Sequence, residues 1–235
     1  VTGYDLVKLM AGSYGTLGVL SEVALKVLPK SQVAGALLFE GLTDAQAIKA
    51  LSRALGSPYE VTGAAHLQRG PDEASVTMIR IEGTETSVSY RADRLRRLLA
   101  EVGPCKIDIA QDRTAAGWTR VRDVSPFHDR DGAVWRLSVK PSDAPEIVAS
   151  LPGVEAIYDW GGGLIWLLVP PGTGLAGQDI RAPLAGTGGH ATLIRGRDKQ
   201  PFHPLPAPVA QLQEGLRRKF DPQNILNPGL MGQAV

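Results

Sequence analysis

The order of sequence patterns predicts an α+β fold built on one antiparallel sheet, and three observations carry that prediction. Between residues 33 and 195, short runs rich in β-formers alternate with runs of 3.6-residue apolar period in the order β-α-β-β-α-β. The order is written twice, over about 33–110 and about 133–195. The helical runs end at breakers, Gly56 and Gly103-Pro104, and the strands are joined by turn-rich segments such as RGPDE. Two such split, ferredoxin-like units can join into a single antiparallel sheet with their helices on one face, leaving the other face free to cover something.

Each element has a local justification. A strand is expected over 33–40. The helix over 43–55 opens on a capping box, Thr43 with Gln46, and carries the stripe Ile48, Leu51 and Leu55. Strands follow over 59–67 and 75–82. The helix over 86–102 has Val88, Ala92, Leu95, Leu99 and Val102 at helical spacing, and a last strand covers 106–110. Arg91, Arg94, Arg96 and Arg97 on that helix read as a solvated face or, less simply, as a docking face for a partner. A helix near 113–122 links the units. The second unit then reads as a strand over 134–140, a short helix over 144–150, and strands over 154–160 and 164–169 around Gly161-Gly162-Gly163. A helix near 175–184 and a strand over 190–195 complete it. After the proline-rich loop GRDKQPFHPLPAP, residues 206–220 form an amphipathic helix with Val209, Leu212, Leu216 and Phe220 on one side.

Composition narrows the function classes. The 235 residues are 43% hydrophobic and 21% charged, an ordinary globular balance. Twenty-five basic and 24 acidic residues leave a net charge of +1, which offers no electrostatic footprint for nucleic acid. The single cysteine, Cys105, excludes a disulfide within the chain and an iron–sulfur cluster of its own. His66, His128 and His203 are not at metal-ligand spacing, so no metal site is expected. No apolar run approaches the ~20 residues of a membrane-spanning helix. A reducing, cytoplasmic setting is the expectation.

The chain opens without methionine on VTGYDLVKLMAGSYGTLGVLSEVALKVLP. Gly12, Gly15 and Gly18 sit three apart around Ser13 and Thr16, and an alternating run follows, Val19, Ser21, Val23, Leu25 and Val27. Glycines so spaced let backbone amides approach a neighbouring strand or a ligand's oxygens. The dinucleotide fingerprint is a different pattern, since here the strand-like run comes after the glycines. A domain rarely opens on such a device, so the chain is expected to be the C-terminal part of a longer protein, with an apolar strip exposed where the rest would pack.

Strand alternation also sorts the polar groups of the second unit. Arg136, Ser138 and Lys140 share one face, and His190 and Thr192 share one face. With consistent polarity, Arg136 and His190 look toward the same side. An arginine grips a carboxylate through two charge-assisted bonds, and a histidine takes a hydroxyl proton, the pair a 2-hydroxy acid needs for oxidation. The plainer alternative has Arg136 bridging Asp159 and His190 holding a turn. Trp160 is either a stacking platform or a packed strand-end aromatic.

The opening stretch, the tail FDPQNILNPGLM and the segments VWRLSVKPSDAP, IYDWGGGLIWL and GGHATLIRG between them resemble the vanillyl-alcohol-oxidase-like FAD-linked oxidase superfamily. Within it they resemble the FAD-binding subunits of bacterial glycolate oxidases. The resemblance covers essentially the whole chain. It implies that residues 1–30 are the end of an FAD-binding domain, 31–200 a cap or substrate domain whose sheet lies over the flavin ring, and 201–235 a helix and tail returning to the flavin domain. It also implies that Gly12, Ser13, Gly15, Thr16, Gly18, Val19 and Asn227 border FAD. Arg136 and His190 become the catalytic candidates. The substrate would be glycolate, or another 2-hydroxy acid such as D-lactate. The partners would be a homologous flavin subunit and an iron–sulfur subunit, with peripheral attachment to the inner membrane through them. In relatives acting on 2-hydroxy acids the matching stretch reads Gly-Glu-His-Gly. Here it is Gly189-His190-Ala191, with glycine in place of the acid, which keeps open a second role as a non-catalytic assembly subunit. The fragment alone is expected to be inactive.

Overall fold

The computed structural model describes residues 5–198 and 200–231, which fall in two compact units. The smaller unit combines residues 5–28 with 200–231. In it a short helix, α1 (Leu6–Met10), is capped by Asp5, whose carboxylate accepts from Lys8 N (3.1 Å), and runs into the glycine loop. The larger unit, residues 29–198, holds both repeats. The first repeat is β1 (Val33–Glu40), α2 (Asp44–Leu55), β2 (Val61–Leu67), β3 (Val76–Gly83), α3 (Glu85–Leu98) and β4 (Lys106–Asp108). A connecting helix, α4 (Gln111–Arg122), follows. The second repeat is β5 (Ala133–Ser138), α5 (Ala144–Ala149), β6 (Glu155–Asp159), β7 (Leu164–Val169), α6 (Gly177–Arg181) and β8 (His190–Arg195). The smaller unit closes the chain with α7 (Ala207–Phe220).

All eight strands form one antiparallel sheet in the order β4-β1-β3-β2-β6-β7-β5-β8. Each repeat contributes four strands in the ferredoxin-like arrangement, and the two copies meet through their second strands, β2 and β6. The main core fills the face that α2, α3, α5 and α6 cover. Leu37, Phe39, Ile79 and Ile81 from one repeat and Trp135, Leu137, Ile165 and Leu167 from the other lie under Leu51, Leu95 and Ile147 of the helices. The expected capping box is present: Thr43 Oγ1 accepts from Gln46 N (3.3 Å) and Gln46 Oε1 accepts from Thr43 N (3.0 Å).

Three features differ from the sequence reading. The linking helix α4, which sequence places between the repeats without assigning it a face, packs on the face opposite the other helices. There Val121, Val124 and Phe127 join Ala65, Met78, Ile157 and Leu168 in a second cluster. Arg91, read as part of a solvated run, is buried and clamps the carbonyls of Tyr59 (3.3 Å), Glu60 (3.4 Å) and Glu82. The alternating run after the glycines is not a strand: among the described residues it pairs with no neighbour, and a ladder needs one. It is exposed, with Val19 at 84% and Leu28 at 88%. The Val209, Leu212, Leu216 and Phe220 stripe of α7 is exposed as well.

The seam between the repeats is thin. Among the described residues two pairs, His66↔Tyr158 and Leu67↔Ile157, register across it, with one more backbone bond from Gln68 N to Ala156 O (3.4 Å). A polar node reinforces it. Asp44, at the first turn of α2, accepts from Tyr158 Oη (2.6 Å) and Gln68 Nε2 (2.6 Å) on Oδ2, and its Oδ1 lies 3.2 Å from His66 Nε2. His66 is fully buried, and its Nδ1 lies 2.8 Å from Thr77 Oγ1. The neutral tautomer protonated on Nε2 satisfies both contacts. Gln68 also turns its Oε1 to Ala156 N (2.7 Å), so one side chain ties α2 of the first repeat to β6 of the second. Burial pushes the Asp44 carboxyl up, but the hydrogen bonds from His66, Tyr158 and Gln68 outweigh it and hold the group below the usual carboxylate value. Burial and the adjacent Asp44 push the Tyr158 phenol upward.

Two predictions follow from this node. Tyr158→Phe, which removes one donor and strands a lone pair, should cost about 1–3 kcal/mol in urea unfolding, with the sheet retained by circular dichroism. A carboxyl held low contributes stability above its unfolded pKa and loses it as pH falls through its folded value. Stability of the wild-type chain should therefore decline below about pH 4, and Asp44→Asn should be less stable at neutral pH and show a shallower acid slope in the same unfolding assay.

Candidate functional site

The smaller unit contains a cleft of about 510 Å³ whose walls are the glycine loop and the tail. Ser13, Gly15, Gly18, Val19 and Asn227, five of the seven residues expected at a flavin, line it. The other two do not: Gly12 stands outside the lining, and Thr16 is buried, its hydroxyl donating to Ser13 O (2.7 Å). Thr16 therefore shapes the loop from within. Gly15 is left-handed (φ +70°), and a Cβ there would sit 3.0 Å from Asn227 Nδ2, so glycine permits the close approach of loop and tail. Asn227, itself left-handed at φ +43°, donates from Nδ2 to Tyr14 O (2.9 Å). Tyr14 packs edge-on against Phe202 with ring centres 4.8 Å apart.

The tail is held from behind by two charged residues that sequence reading did not single out. Arg217 of α7, nearly buried, points Nη2 at Asn224 Oδ1 (3.2 Å) and at the carbonyls of Leu226 (3.4 Å) and Asn227 (3.2 Å). Asp221 accepts from Ile225 N (3.0 Å) and Leu226 N (2.8 Å). Burial pushes the Asp221 carboxyl up, but those backbone N–H groups and the Arg217 charge prevail and keep it below its ordinary value. The three acceptors of Arg217 become visible only once the tail folds back.

In the larger unit the ladder between β5 and β8 pairs Arg136 with Thr192 and Ser138 with His190. Arg136 and His190 are thus diagonal neighbours on the sheet face opposite the main core, a separation of about 7–8 Å between Cα atoms. The same-side placement expected from alternation is present. Asp159 is not the partner of Arg136: its Oδ1 accepts from Trp160 N (2.7 Å), and the Arg136 guanidinium stands 5.6 Å from the centre of the Trp160 ring. His190 is exposed at the strand start, after Gly189. Lys140 lies beyond the end of β5, with Nζ 4.0 Å from Asp143. A reach of two charged or titratable groups over one sheet face suits a small carboxylate bearing a hydroxyl. Among the described residues no three His, Cys, Asp or Glu side chains cluster to hold a metal, and no helix is long and apolar enough to cross a membrane.

Known proteins resemble this chain in fold and in sequence. The fold matches a solved alkyldihydroxyacetonephosphate synthase with a TM-score of 0.58 at 15% identity, covering 97% of this chain and 50% of that one. The sequence is 34% identical over 232 residues to glycolate oxidase subunit GlcE of Escherichia coli K12, covering 98% of this chain and 58% of that protein. It is 24% identical over 282 residues to glycolate oxidase subunit GlcD of the same strain, covering 97% and 54%. The chain therefore spans a little over half the length of these curated relatives. No protein-family model matches it. In sequence the chain is thus similar to the glycolate oxidase subunits, more to GlcE than to GlcD, and in fold to the synthase.

The tail clamp generates a prediction of its own. Arg217→Gln should release the turn around Asn227, raising amide hydrogen exchange of residues 224–231 by about tenfold or more while the β-sheet amides keep their protection.

Proposed function

We propose that this chain is part of an FAD-dependent oxidoreductase subunit that acts, within a multi-subunit complex, in oxidising glycolate to glyoxylate. The observation that carries the reading is the 34% identity to GlcE, which runs through 98% of the chain. The cleft of the smaller unit fits a flavin in its donor chemistry. Gly15 and Gly18 put no side chain into the lining, which leaves the loop backbone open to a ligand's oxygens. Asn227 and Ser13 add polar side chains to the lining, and Met10, Leu20 and Ile225 add an apolar wall. Bound FAD would supply the two-electron acceptor that no side chain offers.

The protein's own contribution is positioning and proton handling. Arg136 holds the substrate carboxylate, leaving the hydroxyl-bearing carbon presented for hydride loss. His190 accepts the hydroxyl proton on a ring nitrogen as that hydride departs, so the alcohol becomes a carbonyl with charge balanced. A homologous flavin subunit and an iron–sulfur subunit are the proposed partners, and any cluster would lie on the latter, since this chain has one cysteine. Attachment to the inner membrane would run through such partners. Another 2-hydroxy acid, such as D-lactate, would satisfy the same arginine.

A second reading rests on the glycine at 189, where an acid is expected of a catalytic relative. In it the subunit chiefly supports assembly. The test is steady-state oxidation of glycolate by the complete complex. Arg136→Gln should raise KM at least about tenfold, and His190→Ala should lower kcat by about 10²–10⁴ and remove a limb of its pH profile, with assembly by gel filtration unchanged. Full turnover in both variants would establish the assembly role.

A further inference from the structure

A cleft of about 480 Å³ opens at the start of β2, where the sheet meets α4 and the turn 160–163. We propose that it is a binding site for an aromatic carboxylate, with the ring lying against Trp160 and the acid group held by Arg80 and Arg122. The site goes beyond the oxidation proposed above: its lining comes from β2, β3, α4, Leu55 and the 160–163 turn, and it adjoins the β5–β8 pair only where the Arg136 guanidinium meets the Trp160 ring.

Three observations converge on that chemistry. First, the walls are aromatic and apolar. Trp118 lies directly against β2 because residue 63 is glycine: a Cβ there would collide with the indole. Leu55 and Val61 extend the apolar lining. Trp160 is 60% exposed and holds a left-handed backbone (φ +52°), a conformation that costs a bulky residue free energy and recurs at ligand sites. Its one ring contact among the described residues is the Arg136 guanidinium, so the indole still offers a face.

Second, the polar groups are mostly cationic and incompletely partnered. Arg80 stacks on Trp118 at 4.4 Å, donates from Nη2 to Thr62 O (3.2 Å) and pairs through Nη2 with Glu82 (3.4 Å), while its Nε–H is buried with no acceptor among the described residues. Arg122 spends Nε (2.6 Å) and Nη2 (3.0 Å) on Asp123, which leaves its other terminal nitrogen for a ligand. A planar carboxylate matches such guanidinium edges.

Third, Asp159 sets the limit on the charge of the occupant. It has no ion pair among the described residues. Burial pushes its carboxyl above the ordinary value, and the Trp160 N–H and the Arg80 charge oppose that only in part. A compact dianion would meet this carboxylate unfavourably, whereas a monoanion whose charge lies on the arginine side avoids it. The volume falls within the range of about 300–1,000 Å³ typical of small-molecule sites and exceeds what a two-carbon acid fills.

The test is isothermal titration of the full chain with benzoate. Benzoate should bind saturably. Acetate, which has the charge without the ring, and benzyl alcohol, which has the ring without the charge, should each bind at least about tenfold more weakly. Arg122→Gln should weaken benzoate binding, and Asp159→Asn, which removes the opposing charge yet keeps an acceptor for Trp160 N, should tighten it at least about threefold. The gain in that variant cannot come from misfolding. His190→Ala should leave benzoate affinity unchanged. Absence of saturable binding, equal binding of benzoate and benzyl alcohol, no gain in Asp159→Asn, or loss of benzoate in His190→Ala would each overturn the proposal.

Discussion

The seam between β2 and β6 is the constraint on which the larger unit depends. Among the described residues the two four-stranded repeats register only two pairs there, so backbone ladder alone fastens them weakly. Asp44 supplies the missing specificity. Its carboxylate gathers Tyr158 from the second repeat and His66 and Gln68 from the first, and Gln68 reaches on to the Ala156 amide. Asp44 is only partly buried, but His66 beside it is fully buried, so each group of the node satisfies another that would otherwise lack a partner. Register follows from it. A one-residue slip at the seam would turn Tyr158 to the opposite face and reverse every side chain of the second repeat.

That register decides which groups the second face presents. Because the main core claims Trp135 and Leu137, the intervening Arg136 and Ser138 point away from it, and pairing with β8 brings His190 and Thr192 to the same side. The connecting helix α4 covers only part of this face, over β2 and β3, where Val121 and Phe127 bury apolar surface. The uncovered remainder holds Arg136 and His190, and the boundary of α4 holds Arg80, Trp118 and Arg122. One architectural choice, the side on which a linker helix crosses, thus separates a strand-pair surface from a walled cleft.

The smaller unit relies on a different device. Loop and tail are joined by the bond from Asn227 to the Tyr14 carbonyl, and the tail is held to the end of α7 by directed bonds, Arg217 to the Leu226 and Asn227 carbonyls and Asp221 to the Ile225 and Leu226 amides. Charged side chains satisfying irregular backbone let a turn with left-handed Asn224 and Asn227 persist without secondary structure around it. The apolar residues of 19–28 and of α7 stay exposed beside this polar scaffold.

Much of the fold was legible in the sequence, because hydrophobic period and end signals are local. The Thr43–Gln46 box, the Leu51 and Leu95 stripes and the alternation through Trp135–Val139 each announce an element within a dozen residues, and repeating their order announces the split units. The shared side of Arg136 and His190 was legible for the same reason, since pleat alternation is a property of the backbone. Other features required long-range contacts. Sequence could not assign α4 a face, because its apolar residues fit either side of a sheet. It read Arg91 as part of a solvated face and did not single out Arg217, because carbonyl acceptors carry no sequence signature. It took the alternating run 19–27 as strand-like, because alternation marks readiness to pair and not the presence of a partner. The sequence by itself determined the elements, their order and the inward or outward sense of each strand residue. Only tertiary structure decided which segments meet, at the Asp44 node, the Asn227 turn and the Trp118–Trp160 cleft, because those meetings join residues far apart in the chain through directed polar contacts whose geometry no local pattern encodes.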